Sequence, residues 1–116
     1  MQKSTIKIDV MLDDQKMPSE INWNATETSA DNDRKAKAVF LSFWDGEDKA
    51  ALRIDLWTKE MMVDEMADFF YQTFMSMADT YQRATRNTEM SEDIKKFAKQ
   101  FYKKFQDAEN SKIQSR

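Results

Sequence analysis

The sequence contains no cysteine and no histidine, and only one glycine and one proline among its 116 residues. Without cysteine there is no disulfide framework and no thiol nucleophile. Without histidine, the commonest general base and the commonest transition-metal ligand are both missing. A single glycine excludes a glycine-rich phosphate loop, and the scarcity of glycine and proline argues against a turn-rich barrel or sandwich. We therefore expect no catalytic residues, no cofactor and no metal site.

Long apolar runs are also missing, so neither a signal peptide nor a membrane span is predicted, and we expect a cytoplasmic protein. The net charge of -3 disfavours binding to nucleic acid. The chain has the length of one domain, and its eight phenylalanines, three tryptophans and nine methionines supply ample material for a core.

Apolar and polar residues that alternate with a period of two predict strands in the first half of the chain. Ile6–Leu12 alternates in this way, and a short return strand is predicted at Ile21–Asn24, followed by a polar loop at Thr26–Asp33. A further strand is predicted at Leu52–Trp57. There Leu52, Ile54 and Leu56 are expected to face the core, while Arg53, Asp55 and Trp57 fall on the outward register, with Arg53 and Asp55 as a surface ion pair.

The segment 34–45 is ambiguous because it is apolar on both faces of a strand and nearly all round a helix. We favour a strand from about Lys37 to Trp44, joined to the next strand by a turn at Asp45–Gly46. A helix that begins near Asp31 or Asp33 is the alternative. We interpret the acidic cluster 45–48 as turn chemistry rather than as a cation site.

One side of this strand would carry Val39, Leu41 and Phe43. A strand that is apolar on both faces is normally covered on both sides. If these three residues face away from the helices, a second subunit is the simplest candidate to cover them.

Apolar residues three and four apart predict two amphipathic helices, at about 62–85 and 91–108. Ser91 is the expected N-cap of the second helix, whose lysines are interpreted as a solvated face. Phe69 and Met75 lie off the apolar stripe of the first helix. The polar tail 109–116 is expected to be frayed.

These elements predict a single α+β domain, in which a four-stranded antiparallel sheet of two hairpins over about residues 4–57 is followed by two helices packed on one face. Methionine and aromatic residues are in surplus over what one interface between helices and sheet can hold. Either the methionines fill gaps in the core, or the surplus leaves exposed apolar surface of the kind that marks interaction sites. We expect a homo-oligomer. The candidate interaction surface consists of Val39, Leu41, Phe43, Trp57, Phe69 and Met75.

Several segments resemble the family of the gliding motility protein GldC. The most distinctive is Leu52–Lys59 followed by Val63–Met66; the others are Ser4–Val10, Ile21–Ala25, Phe69–Phe70 and Met77–Thr85. The resemblance covers most of the chain, to about Phe105.

The resemblance implies a small soluble component associated with bacterial gliding, a process linked to type IX secretion, envelope lipoproteins and motor proteins. The family implies no catalytic activity, so no catalytic residues are carried over. A non-enzymatic interaction protein is therefore expected. The alternative is a small chaperone-like protein that binds extended polypeptide along exposed strands.

Overall fold

The computed structural model describes residues 2–26 and 32–114, which belong to two compact units, residues 1–61 and residues 62–116. In the described ranges, the first unit contains the strands and the second contains the helices. The predicted order of an α+β chain, with strands first and two helices after them, is confirmed. The elements are β1 (Ile6–Leu12), β2 (Pro18–Ala25), β3 (Arg34–Ala36), β4 (Ala38–Asp45), β5 (Ala50–Trp57), α1 (Val63–Thr85) and α2 (Thr88–Gln114).

The described strands form two sheets, so the prediction of one four-stranded sheet is wrong. β2 lies between β1 and β3 in an antiparallel three-stranded sheet, whereas β4 pairs with β5 in a separate two-stranded sheet. The chain bends at Lys37, between β3 and β4. This bend leaves the three residues of β3 beside β2 and directs β4 towards β5. Apolar and polar residues alternate through the bend without interruption, so the sequence pattern does not predict the bend.

The ambiguous segment forms a strand. β4 covers Ala38–Asp45, which confirms the strand predicted from Lys37 to Trp44 and excludes the helix that would begin at Asp33. Residues 27–31, which include Asp31 and most of the predicted loop, lie outside the described residues.

The turn between β4 and β5 consists of the four residues 46–49. The Asp45 carboxylate shapes it, because its Oδ1 accepts hydrogen bonds from the backbone N–H groups of Glu47 at 2.9 Å and Asp48 at 3.3 Å. The positive φ of 53° falls on Lys49 rather than on Gly46. The acidic cluster therefore serves the turn, as predicted.

β1 and β2 form the predicted hairpin, in a register that pairs Val10 with Ile21. Ile21 is 1% exposed and is the one large apolar side chain that is fully buried in the described chain. Asp13 holds the turn, since its Oδ1 accepts hydrogen bonds from the N–H groups of Gln15 at 2.9 Å and Met17 at 3.0 Å.

Helix α1 begins within one residue of its predicted start and ends at the predicted residue. Glu65 accepts a hydrogen bond of 3.1 Å from the backbone N–H of Met62, which satisfies one free donor at the N-terminus. At the other end Arg86 adopts the left-handed conformation, with φ 59° and ψ 21°, and its N–H donates to the carbonyl of Gln82 at 2.7 Å.

Helix α2 begins three residues earlier than predicted, and Ser91 is not its N-cap. Asn87 is the capping residue, because its Oδ1 accepts a hydrogen bond of 3.1 Å from the N–H of Met90. Ser91 is fully buried instead, and its hydroxyl donates to the carbonyl of Ala78 in α1 at 2.8 Å. The two helices form an antiparallel hairpin, in which the ring of Phe74 lies 5.5 Å from that of Phe101.

Helix α2 also continues beyond its predicted end. Residues 109–114, which were expected to be frayed, are helical. Ion pairs along the helix, Lys103 with Asp107 at 2.9 Å and Lys112 with Glu109 at 3.3 Å, support its last turns. No helix in the described chain is both long enough and apolar enough to cross a membrane.

Candidate interaction surface

The two strands of the second sheet carry six apolar residues on one face, which we call the hairpin apolar face. Antiparallel pairing places directly opposed residues on the same side of a sheet. The opposed pairs of the hairpin apolar face are Val39 with Leu56, Leu41 with Ile54, and Phe43 with Leu52.

Three of the six residues on this face are more than half exposed to solvent. Phe43 is 56% exposed, Leu52 is 55% exposed and Ile54 is 51% exposed, while Val39, Leu41 and Leu56 are partly buried. Adjacent large apolar side chains that remain in water are unfavourable, and contiguous patches of this kind mark interaction sites.

The predicted interaction surface included only one strand of this face. Val39, Leu41 and Phe43 were expected to form a docking surface, and the structure places them on the hairpin apolar face. Leu52 and Ile54 were expected to face the core, which is wrong, since both are more than half exposed. The register of β4 and β5 brings both sets to one face, whereas the prediction had placed them apart.

The opposite face of the same hairpin is polar at its centre and aromatic at its ends. Arg53 forms a two-point ion pair with Asp55, with nitrogen–oxygen distances of 2.9 Å and 3.2 Å, as predicted. The Arg53 guanidinium also lies 6.0 Å from the centroid of the Phe40 ring. Trp57 lies on this outward face and is 56% exposed, and Trp44 is 70% exposed.

The two remaining predicted residues, Phe69 and Met75, belong to α1 in the other unit, and both are partly buried. Among the apolar residues further along the helices, Met77 is 52% exposed and Phe97 is 56% exposed. Both stand at the three- and four-residue spacing of the predicted apolar stripes, and no feature of the sequence distinguishes them from the buried residues of those stripes.

Charged residues near the two sheets form ion pairs with one another. Lys59, which follows β5, pairs with Asp13 in the turn between β1 and β2, and this contact lowers the pKa of Asp13. Lys35 of β3 pairs with Glu20 of β2 at 2.9 Å, which lowers the pKa of Glu20 and raises that of Lys35. These groups hold neighbouring segments together within the first unit.

Ion pairs and hydrogen bonds between charged and polar side chains also join the two helices. Lys95 of α2 pairs with Asp79 of α1 at 3.0 Å, and this contact raises the pKa of Lys95. A hydrogen bond with Asp68 raises the pKa of Tyr102, whose ring centroid lies 4.9 Å from that of Tyr71. The lysines of α2 therefore include several that are engaged by acids of the same unit.

The strands followed by a helical hairpin, with an apolar face left open on a two-stranded sheet, define a small α+β protein with a candidate docking surface. Residues 18–107 match the model of the family described as gliding motility-associated protein GldC-like. The chain belongs to the GldC-like family, which confirms the resemblance drawn from its segments. Searches among curated proteins and among solved structures give no significant match.

Proposed function

We propose that this chain is a non-enzymatic interaction protein of the bacterial gliding-motility machinery and that the hairpin apolar face is its docking surface. Membership in the GldC-like family supports the association with gliding motility. The observation that carries the docking role is the exposure of Phe43, Leu52 and Ile54 side by side on one face.

Covering this face would contribute favourably to binding. Burying one large aliphatic or aromatic side chain completely contributes about 1.5–3 kcal/mol. Because about half of the surface of Phe43, Leu52 and Ile54 is still open, a partner that covers all three gains roughly 2–4 kcal/mol from them. That amount corresponds to a change in affinity of roughly 30- to 1,000-fold.

The non-enzymatic part of the proposal rests on composition. A chain without histidine or cysteine has no imidazole base and no thiolate nucleophile. Its acidic groups at Asp13, Asp45 and Asp55 are engaged in turns and ion pairs. We further propose a cytoplasmic location, homo-oligomerisation, and partners among the components of gliding and type IX secretion, which the family resemblance implies.

Affinity capture from a gliding bacterium tests this function. We expect the wild-type chain to recover motor or secretion subunits, and recovery of nucleic acid or of nothing specific would contradict the proposal. The decisive comparison uses two isoleucines in strands, Ile54 on the hairpin apolar face and Ile6 in β1, which are 51% and 72% exposed. We expect Ile54→Thr to reduce recovery of the subunits about tenfold and Ile6→Thr to leave it unchanged. Equal recovery by both variants would exclude the hairpin apolar face as the docking surface.

A chaperone-like binder of extended polypeptide is the second candidate. It is favoured by the outer edge of β5, which has no strand beside it in the described chain and lies next to the hairpin apolar face. An extended segment could add there as a further strand. Binding of many unrelated unfolded chains would favour this alternative, whereas binding restricted to gliding components favours the adaptor.

A further inference from the structure

The outer edge of β5 is built to accept another strand. β5 pairs only with β4 in the described chain, and its residues 51–55 are all exposed. An unpaired edge is a template for association, and proteins usually protect it with lysine, proline or a bulge. β5 has no lysine, no proline and no bulge, since its sequence is AALRIDLW and its register with β4 is continuous; its charged residues are Arg53 and Asp55, of opposite sign. A two-stranded sheet is moreover only marginally stable without further strands.

The sequence of β5 is self-complementary about Ile54. Leucines stand two positions before and two positions after it, at 52 and 56, while Arg53 and Asp55 flank it directly. If a second β5 runs antiparallel with Ile54 opposite Ile54, each Arg53 faces an Asp55 of the other copy. Opposite charges across strands stabilise a sheet, and like charges destabilise it.

Neighbouring registers lack this complementarity. Pairing centred on Arg53 sets two guanidinium groups opposite each other, and pairing centred on Asp55 sets two carboxylates opposite each other. A shift by a single residue turns the polar face of one strand to the apolar face of the other. Charge and polarity thus favour the register centred on Ile54 over the registers next to it.

We propose that the occupant of the β5 edge is a second copy of this chain, paired antiparallel through β5 with Ile54 at the twofold axis. The two hairpins then form one four-stranded sheet in the order β4-β5-β5-β4. Leu52, Ile54 and Leu56 of each copy extend a single apolar face across the dimer, and that face remains available to a motility partner. This inference rests on the proposed function, since it assigns the homo-oligomer to a particular edge.

Site-directed disulfide formation tests the register, and the absence of native cysteine makes the result unambiguous. Directly opposed residues lie within disulfide reach, so we expect Ile54→Cys to oxidise readily to a covalent dimer. Leu52→Cys is the matched control, because its thiol would lie about 13 Å along the strand from that of the second copy. We expect Ile54→Cys to cross-link at least about tenfold faster, and a mixture of Leu52→Cys and Leu56→Cys chains to form the mixed dimer. Equal or slower cross-linking at position 54 overturns the proposal.

Charge reversal separates the contact between copies from the ion pair within one copy. Arg53→Glu places carboxylates opposite each other in the dimer, and Asp55→Arg places guanidinium groups opposite each other. We expect each variant alone to associate about tenfold more weakly than the wild type. A mixture of the two should recover wild-type association, because opposite charges then meet only between different chains. Variants that associate as strongly as the wild type, or a mixture no stronger than its components, overturn the pairing.

The outcomes also separate this inference from the proposed function. An oligomer that does not cross-link at position 54, or a chain that stays monomeric, overturns β5 pairing while the capture of gliding components can still succeed. An unrelated extended peptide that binds the β5 edge of a chain that forms no dimer through position 54 assigns the edge to polypeptide binding and overturns the proposal. Circular dichroism of each variant confirms that the strands and helices are retained before association is measured.

Discussion

Ser91 of α2 donates a hydrogen bond of 2.8 Å to the backbone carbonyl of Ala78 in α1, and both residues are 0% exposed. The contact fixes the spacing of the helical hairpin at a point where neither helix has room for a larger side chain. It accounts for a serine inside a helix, where serine is otherwise a poor choice.

Replacing Ser91 by alanine removes this hydrogen bond. We expect Ser91→Ala to lower the free energy of unfolding by about 1 kcal/mol. Ser76→Ala is the matched control, because Ser76 lies on the exposed surface of α1 and the gain in helix propensity is the same. Urea unfolding measures both, and a Ser91→Ala variant as stable as Ser76→Ala would show that the contact contributes nothing.

The pair formed by Asp13 and Lys59 predicts a dependence of stability on pH. Lys59, with help from the N–H of Met17, lowers the pKa of Asp13 below its ordinary value of 3.8. A carboxyl group whose pKa is lower in the folded state stabilises the fold above its unfolded pKa, and this contribution is lost as the pH falls through the folded pKa.

We therefore expect Asp13→Asn to be less stable than the wild type at neutral pH, with the difference shrinking below about pH 4. Asp14→Asn leaves the Asp13–Lys59 pair in place and serves as the control. Urea unfolding at a series of pH values measures the effect. A constant difference between Asp13→Asn and the wild type across the acid range would contradict the assignment.

Arg86 occupies the left-handed position after α1, with φ 59°. Glycine adopts this conformation without the steric penalty that other residues bear. Arg86→Gly is expected to raise the free energy of unfolding by about 0.5–1 kcal/mol. Arg83→Gly, inside the last turn, should instead destabilise the helix by about 1 kcal/mol. Thermal unfolding that ranks the two variants in the reverse order would show that the φ of Arg86 carries no strain.

Thr58, at the end of β5, is 3% exposed, and its hydroxyl oxygen has no hydrogen-bond partner among the described residues. The backbone N–H of Thr58 donates to the carbonyl of Lys37 at 2.8 Å, and this bond does not depend on the side chain. Thr58→Val keeps the shape and removes the buried polar atom, so we expect unchanged or increased stability. A loss above about 1.5 kcal/mol in urea unfolding would reveal a hydrogen bond to the hydroxyl in solution.

The helices could be predicted from sequence because a stripe repeated over several turns is a strong signal. The ends of the helices were harder to predict. Ser91 is a residue type that often caps helices, whereas Asn87 lies in a polar segment that was interpreted as the connection between the helices. The bend at Lys37 was not predictable, because the alternation of apolar residues continues from β3 into β4. The hydrophobic pattern indicates which residues share a face, but it does not indicate where the chain passes from one sheet to another.

The hairpin apolar face could have been predicted more fully. The turn of four residues after Asp45 pairs Phe43 with Leu52. A turn of two residues at Asp45–Gly46 would also bring Val39, Leu41 and Phe43 to the face of Leu52, Ile54 and Leu56. The number of residues in the turn therefore predicts that the apolar residues of the two strands lie on the same face. Their exposure required the structure, because an alternating pattern equally predicts a buried face.

The most direct measurement of the docking role is hydroxyl-radical labelling of Phe43 in the complex captured from gliding cells and in the dilute isolated chain. Phe97 is the internal reference, because it is also a phenylalanine and is also 56% exposed. The docking role predicts that labelling of Phe43 falls severalfold in the complex while that of Phe97 stays unchanged. Labelling of Phe43 that is the same in both states would contradict it.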